Sequence, residues 1–237
     1  YRTEVSIWQD AVDKLPTNSR ALANLGRAHI TAGDFEAAIA ASRAACALEP
    51  RSFEANFNLG LAYAQTDRFA EALDGFQQAA RLLPNDIRGP MRVAHTLLKL
   101  QRPAEARVVL EKLVRDHPDS YEGWNLLALS WIELGQPDKA FAPVQEALRL
   151  KSNYAEAHGN LGVALLRTGR RGEAMRAFDR ALQLTPGLAD VHYNRALALA
   201  AEGRVQEARA EYTEVARLDP KHVDARLNLG VLLAQEG

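Results

Sequence analysis

From Ala21 to Ala32 apolar residues recur at helical spacing, and the run halts at Gly33, a residue type favoured just past a helix end. A second apolar run opens near Asp34, a competent N-cap, and continues to Leu48. Pro50 stops it, because proline lacks the amide donor and clashes with the preceding turn. This pair of helices returns along the whole chain. Prolines stand at Pro16, Pro50, Pro84, Pro118, Pro186 and Pro220, all on one 34-residue grid, and Ser152 holds the single vacant place. No insertion or deletion breaks the register.

Three further columns keep the same step. A small residue recurs at Gly26, Gly60, Ala94, Ala128, Gly162, Ala196 and Gly230, and alanine recurs at Ala38, Ala72, Ala106, Ala140, Ala174 and Ala208. A mostly large column runs Trp8, Phe76, Leu110, Val144, Phe178 and Tyr212, with Ser42 as its exception. Side chains no larger than a methyl let helix axes approach to the short end of ~8–10 Å. The large column is expected to fill the space between repeats. Pro103 and Pro137 sit where a second helix begins, a tolerated first-turn position. Pro90 also lies near a helix start. Pro143 falls inside a second helix, where it should remove a backbone bond near Lys139 and bend the helix.

The Asn-Leu-Gly run at 24–26, 58–60, 160–162 and 228–230, with the alanine, aromatic and proline columns, resembles the tetratricopeptide repeat family over essentially the whole chain. The resemblance implies an all-α, right-handed α-solenoid of helix-turn-helix repeats, with first helices lining a concave inner face. Six full repeats follow: 17–50, 51–84, 85–118, 119–152, 153–186 and 187–220. A lone second helix (1–16) precedes them and a lone first helix (221–237) closes the chain, which reads as one solenoid over 1–237.

Composition narrows the function. Lys and Arg number 29 against 30 Asp and Glu, which argues against a duplex nucleic-acid binder, since that needs clustered excess cations. No apolar stretch approaches the length of a membrane span, so the segment is expected to be soluble, without direct membrane insertion. Cys46, the single cysteine, lies among Ala44, Ala45, Ala47 and Leu48 and reads as a packing residue. Nucleotide-binding, zinc-protease and serine-hydrolase motifs are absent, so no catalytic residue, cofactor or metal is assigned. His158 and His192 share a column with Leu22 and Trp124 and read as packing.

The candidate binding residues lie on the first helices. Asn24, Asn58, Asn160, Asn194 and Asn228 share one column, where Arg92 and Leu126 substitute. They resemble the groove asparagines in the recruiting arm of O-linked N-acetylglucosamine transferase, which grip peptide backbone. A carboxamide both donates and accepts, matching a peptide N–H and C=O. One turn earlier run Arg20, Glu54, Arg88, Glu122, Glu156, Asp190 and Asp224. With Arg27, Arg92, His95 and Lys99 the first three repeats are basic and the later ones acidic. Arg88, Arg92 and Asn58 partly resemble the carboxylate clamp of chaperone-binding members, but Ala23 and Arg27 stand where a lysine and an asparagine belong. Phe57 and Tyr193, with Leu61, Met91, Leu129 and Leu227, add apolar contact area.

The expected function is a non-catalytic protein-interaction scaffold holding a partner segment in its groove. The alternative is the substrate-recruiting arm of a larger glycosyltransferase or membrane protein. The opening run, with Glu4-Val5-Ser6-Ile7-Trp8, resembles repeat tails of multi-span membrane proteins, and the ends at Tyr1 and Gly237 read as cut in mid-repeat. Leu227, Leu229, Val231, Leu232 and Leu233 at one end, and Val5, Ile7, Trp8 and Val12 at the other, are expected to drive end-to-end self-association.

Overall fold

A computed structural model describes residues 3–236, apart from the side chains of Gln235 and Glu236. Tyr1, Arg2 and Gly237, where the half-repeats were placed to begin and end, lie outside the described residues. All regular structure among the described residues is helical. The chain divides into two compact units, Tyr1–His117 and Pro118–Gly237. The first holds α1 (Glu4–Lys14), α2 (Ser19–Ala32), α3 (Phe35–Leu48), α4 (Phe53–Gln65), α5 (Phe69–Leu82), α6 (Arg88–Lys99) and α7 (Pro103–Asp116). The second holds α8 (Tyr121–Glu133), α9 (Phe141–Leu150), α10 (Ala155–Arg167), α11 (Arg171–Leu184), α12 (Ala189–Ala201), α13 (Val205–Leu218) and α14 (Val223–Glu236). Within each unit, consecutive helices pack against one another as antiparallel neighbours joined by short turns.

First and second helices start by different chemistry. On three first helices a short polar side chain accepts an otherwise orphaned backbone N–H: Asn18 from Ala21 at 3.0 Å, Ser52 from Ala55 at 3.2 Å and Ser120 from Gly123 at 3.0 Å. The second helices from α3 onward do without such caps, whereas on α1 Thr3 accepts from the Ser6 N–H at 3.1 Å. Asp34, expected to cap α3, makes no side-chain hydrogen bond to it. In its column stand Arg68, Arg102, Arg170 and Arg204, and each closes an ion pair with a glutamate three residues on. Those glutamates lie in the first helical turn, where the helix dipole favours a carboxylate. Gly33 ends α2 in the left-handed region at φ 81° and returns its N–H to His29 and Ile30.

The hydrogen bond from each arginine holds Glu71, Glu105, Glu173 and Glu207 below the ordinary value of 4.5. A carboxylate with a lowered folded pKa contributes stability above its unfolded value and loses it as pH falls through the folded one. The thermal midpoint is therefore expected to hold level from pH 7 to about 5 and to drop progressively below about 4. Circular dichroism melts across this range check it, and a midpoint unchanged at pH 3 contradicts it. All four pairs are exposed, so the drop should be gradual.

The small and large columns meet inside one repeat, and the large residue also reaches the next repeat as the sequence suggested, since Phe178 shares its cluster with Val191 of α12. A Cβ built on Gly60 would lie 2.7 Å from the Phe76 ring, and one on Gly162 would lie 2.4 Å from the Phe178 ring. Each pair joins the two helices of its own repeat. Pro143 likewise departs from the expected kink. Residues 137–140 form a single 3-10 turn and α9 begins afresh at Phe141, which places Pro143 in its first turn. Cys46 is half-buried beside Leu22, Ala23, Ala45 and Ala55, and burial pushes its thiol pKa up. On α14 the apolar stripe is only partly bare. Leu232 and Leu229 pack into the core, while Leu227 is 64 % exposed and Val231 and Leu233 are also exposed. On α1, Ile7 is exposed but Val12 packs against the α2–α4 core.

Candidate functional site

The helical register places Arg20, Asn24 and Arg27 one turn apart on α2, and repeats the arrangement as Glu54 and Asn58 on α4 and as Arg88 and Arg92 on α6. In the second unit the same places hold Glu156 and Asn160 on α10, Asp190 and Asn194 on α12, and Asp224 and Asn228 on α14.

Four of the five asparagines use their amide nitrogen inside the protein. Asn58, 7 % exposed, donates to the Ala23 carbonyl at 3.0 Å. Asn160 donates to the Asn125 carboxamide oxygen at 2.8 Å, in the first helix of the preceding repeat. Asn194 donates to the Asp190 carbonyl at 2.7 Å, and Asn228 to the Tyr212 hydroxyl at 3.4 Å. At these four positions one of the two N–H groups of the carboxamide, expected to be offered to a ligand, is used by the fold. Asn24, half-buried, makes no hydrogen bond among the described residues.

The expected cationic residues divide likewise. Arg27 pairs with Glu4. Arg88 donates to Asp86 through Nη2 at 2.7 Å and Nε at 3.0 Å, and its guanidinium lies 4.7 Å above the Phe53 ring. Arg20 and Arg92 have no ion pair among the described residues, and both are exposed. His95, which still reaches solvent, is held below the ordinary histidine value by desolvation and then by the charges of Lys99 and Arg92. Ala23, at one departure from the clamp pattern, is buried.

Of the aromatic candidates, Phe57 stacks on Phe53 at 5.3 Å and meets Phe76 edge-on at 5.6 Å, so it extends the core. Tyr193 sits 4.6 Å from His222 and 6.0 Å from Tyr212. Burial and the Asp224 carboxylate raise its pKa.

Two cavities open on these helices. In the first unit a cavity of ≈500 Å³ is lined by Arg20, Asn24, Arg51, Phe53 and Glu54, among others. In the second, one of ≈190 Å³ between α10 and α12 brings together Glu156, Asn160, Val163, Asp190 and Asn194. Neither Glu156 nor Asp190 has an ion-pair partner among the described residues. Each can therefore accept from a cationic or amide group entering the cavity.

The sequence reading missed a structural use of the histidine column. Asn56 donates to the Pro50 carbonyl, Trp124 to Pro118, and the Nε2 atoms of His158 and His192 contact the carbonyls of Ser152 and Pro186, at 2.8–3.1 Å. Every one reaches back six residues to the loop that closes the preceding repeat. The signal lay in the register, since residue types that differ in size all carry an N–H. Among the described residues no group of three or more His, Cys, Asp or Glu side chains could hold a metal, and no helix is long and apolar enough to cross a membrane.

Two sequence profiles, both described as tetratricopeptide repeat, match the chain, one over residues 8–49, 23–87 and 93–155 and the other over 155–188 and 189–222. No curated protein matches it. Among solved structures, a tetratricopeptide repeat protein from Parabacteroides merdae superposes with a TM-score of 0.83 at 14% identity, covering 97% of this chain and 91% of that one. The Thermus thermophilus protein TTC0263 gives 0.70 at 24% identity, covering 77% and 100%. YrrB, described as having an unusual peptide-binding site, gives 0.66 at 20% identity, covering 84% and 99%.

Proposed function

This chain belongs to the tetratricopeptide repeat family, and on that premise we propose that it is a non-catalytic interaction module that binds a peptide segment of a partner protein along its first helices. Members of this family generally mediate protein–protein interactions, and YrrB, of the same fold, is described by its peptide-binding site. The observation that carries the reading is the α10–α12 cavity. It joins two carboxylates without protein partners to two asparagines whose amide nitrogens are already engaged.

That arrangement is selective. The carboxamide oxygens of Asn160 and Asn194 accept from ligand backbone N–H groups, each exchange contributing ~0.5–1.5 kcal/mol. Glu156 and Asp190 take a lysine or arginine side chain, and Val163 lies against its aliphatic stem. In the first unit Arg20 and Arg92 suit acidic ligand groups instead.

Peptides selected from a random 12-residue library on the intact protein should be enriched in Lys and Arg. Changing both Glu156→Lys and Asp190→Lys is expected to weaken them about tenfold or more at low salt, with the thermal midpoint little changed because both positions are exposed. Undiminished affinity in the double variant contradicts the proposal.

A further inference from the structure

A third concavity lies away from these residues, on the second-helix side of the first unit. It measures ≈670 Å³ and is lined by α5, the start of α6, and α7. Its walls are apolar, with Ala80, Pro84, Pro90, Val93 and Leu113 around it, and Val108 is 58 % exposed on its edge.

Two departures from the repeat account for it. Pro90 occupies the column in which Asn56, Trp124, His158 and His192 reach back over the closing loop. Proline has neither the reach nor the donor, so the space beside Pro84 that a tether fills elsewhere stays open. The second departure concerns charge. In the fourth and sixth repeats Glu146 and Glu214 bind Arg149 and Arg217, each at 2.6 Å. The equivalent of those glutamates is Gln78 beside Arg81 and Lys112 beside Arg115. Arg81, on the rim, is left with a single 3.4 Å hydrogen bond to Gln78, while Lys112 pairs with Asp116. Asp116 lines the cavity as well and offsets Lys112, so the uncompensated positive charge on the rim is that of Arg81, beside an apolar floor.

We propose that this groove docks an amphipathic helix of a partner protein, with apolar side chains against Val93, Val108 and Leu113 and acidic residues beside Arg81 and Lys112. The occupant is a helix because the walls are helices whose own backbone groups are bonded. An extended strand would have to satisfy its many N–H and C=O groups from the few polar side chains on the rim, Gln77, Arg81, Lys112, Asp116 and His117, with none on the Val93, Val108 and Leu113 floor, whereas a helix satisfies its own. Charge complementarity sets the acidic flank.

The test uses the whole chain and two fluorescein-labelled 16-residue helical peptides, both with leucines at helical spacing, one flanked by glutamates and one by lysines. Fluorescence anisotropy should show the glutamate peptide binding at least tenfold more tightly than the lysine peptide. Arg81→Glu with Lys112→Glu should reverse that order. Pro90→His, which refills the column, should weaken the glutamate peptide at least tenfold while leaving the thermal midpoint equal or higher. Glu156→Lys with Asp190→Lys should leave it unchanged, which separates this groove from the α10–α12 cavity. Equal binding of the two peptides overturns the proposal. So does a folded charge-reversed variant that keeps the original order, a check that stands even if the Pro90 variant fails to fold.

Discussion

Replacing Phe178 with alanine is expected to destabilise the protein by about 3–5 kcal/mol and to lower its thermal midpoint by roughly 10 °C. The ring is 0% exposed and joins α11 to α10 and α12, with Leu165, Ala174, Ala181 and Val191 in its cluster. Removing it takes away the transfer energy of an aromatic side chain and leaves a cavity that rigid helices close poorly. Because each repeat is stabilised chiefly by its neighbours, the loss should show first as faster amide exchange in α10 and α11, ahead of global unfolding. Exchange and melting measured together decide it, and a cost under 1 kcal/mol would mean that the two helices hold together without the ring.

Gly162→Ala is the complementary change, adding one methyl where there is no room. An exposed helical glycine would gain about 1 kcal/mol from this substitution. Here the new Cβ would stand 2.4 Å from a ring that is itself enclosed, an overpacking worth up to ~3 kcal/mol. The expected net loss is about 2 kcal/mol. The sixth repeat combines Ala196 with Tyr212, so a shift of the helix pair can accommodate both groups, and the loss measures that shift. Phe178→Leu in the Gly162→Ala background should recover part of it, since the third repeat holds Ala94 and Leu110 in these places, both fully buried. Strictly additive energies in the double-mutant cycle would refute the contact.

The helices and most of their boundaries, the start of α9 excepted, were legible because proline and glycine punctuate a strict step, and a 34-residue register turns one residue's role into six tests of it. The tether at Asn56, Trp124, His158 and His192 was not, because its members share only an N–H at one reach and no residue type. Composition hid it. The close contact at Gly60 and Gly162 was not legible for a related reason: periodicity gives the same column spacing whether a ring packs within a repeat, between two, or both, as Phe178 does. At the binding face, Asn58 and Asn160 could be placed on the right helices, but hydrogen-bond partners 35 residues away were beyond a single-helix reading. Arg27 and Arg88 read as available cations until Glu4 and Asp86 appeared beside them. Arg20 and Arg92 form no ion pair among the described residues, although Glu49 and Glu54 line the same cavity as Arg20.

The most direct measurement of the proposed function is hydrogen–deuterium exchange of the intact protein with and without a Lys- or Arg-containing peptide selected on it. Binding along the first helices predicts slowed exchange in α10 and α12, lost in the Glu156→Lys and Asp190→Lys variant. Protection confined to the second helices α11 and α13, or unaltered by the charge reversal, would contradict it.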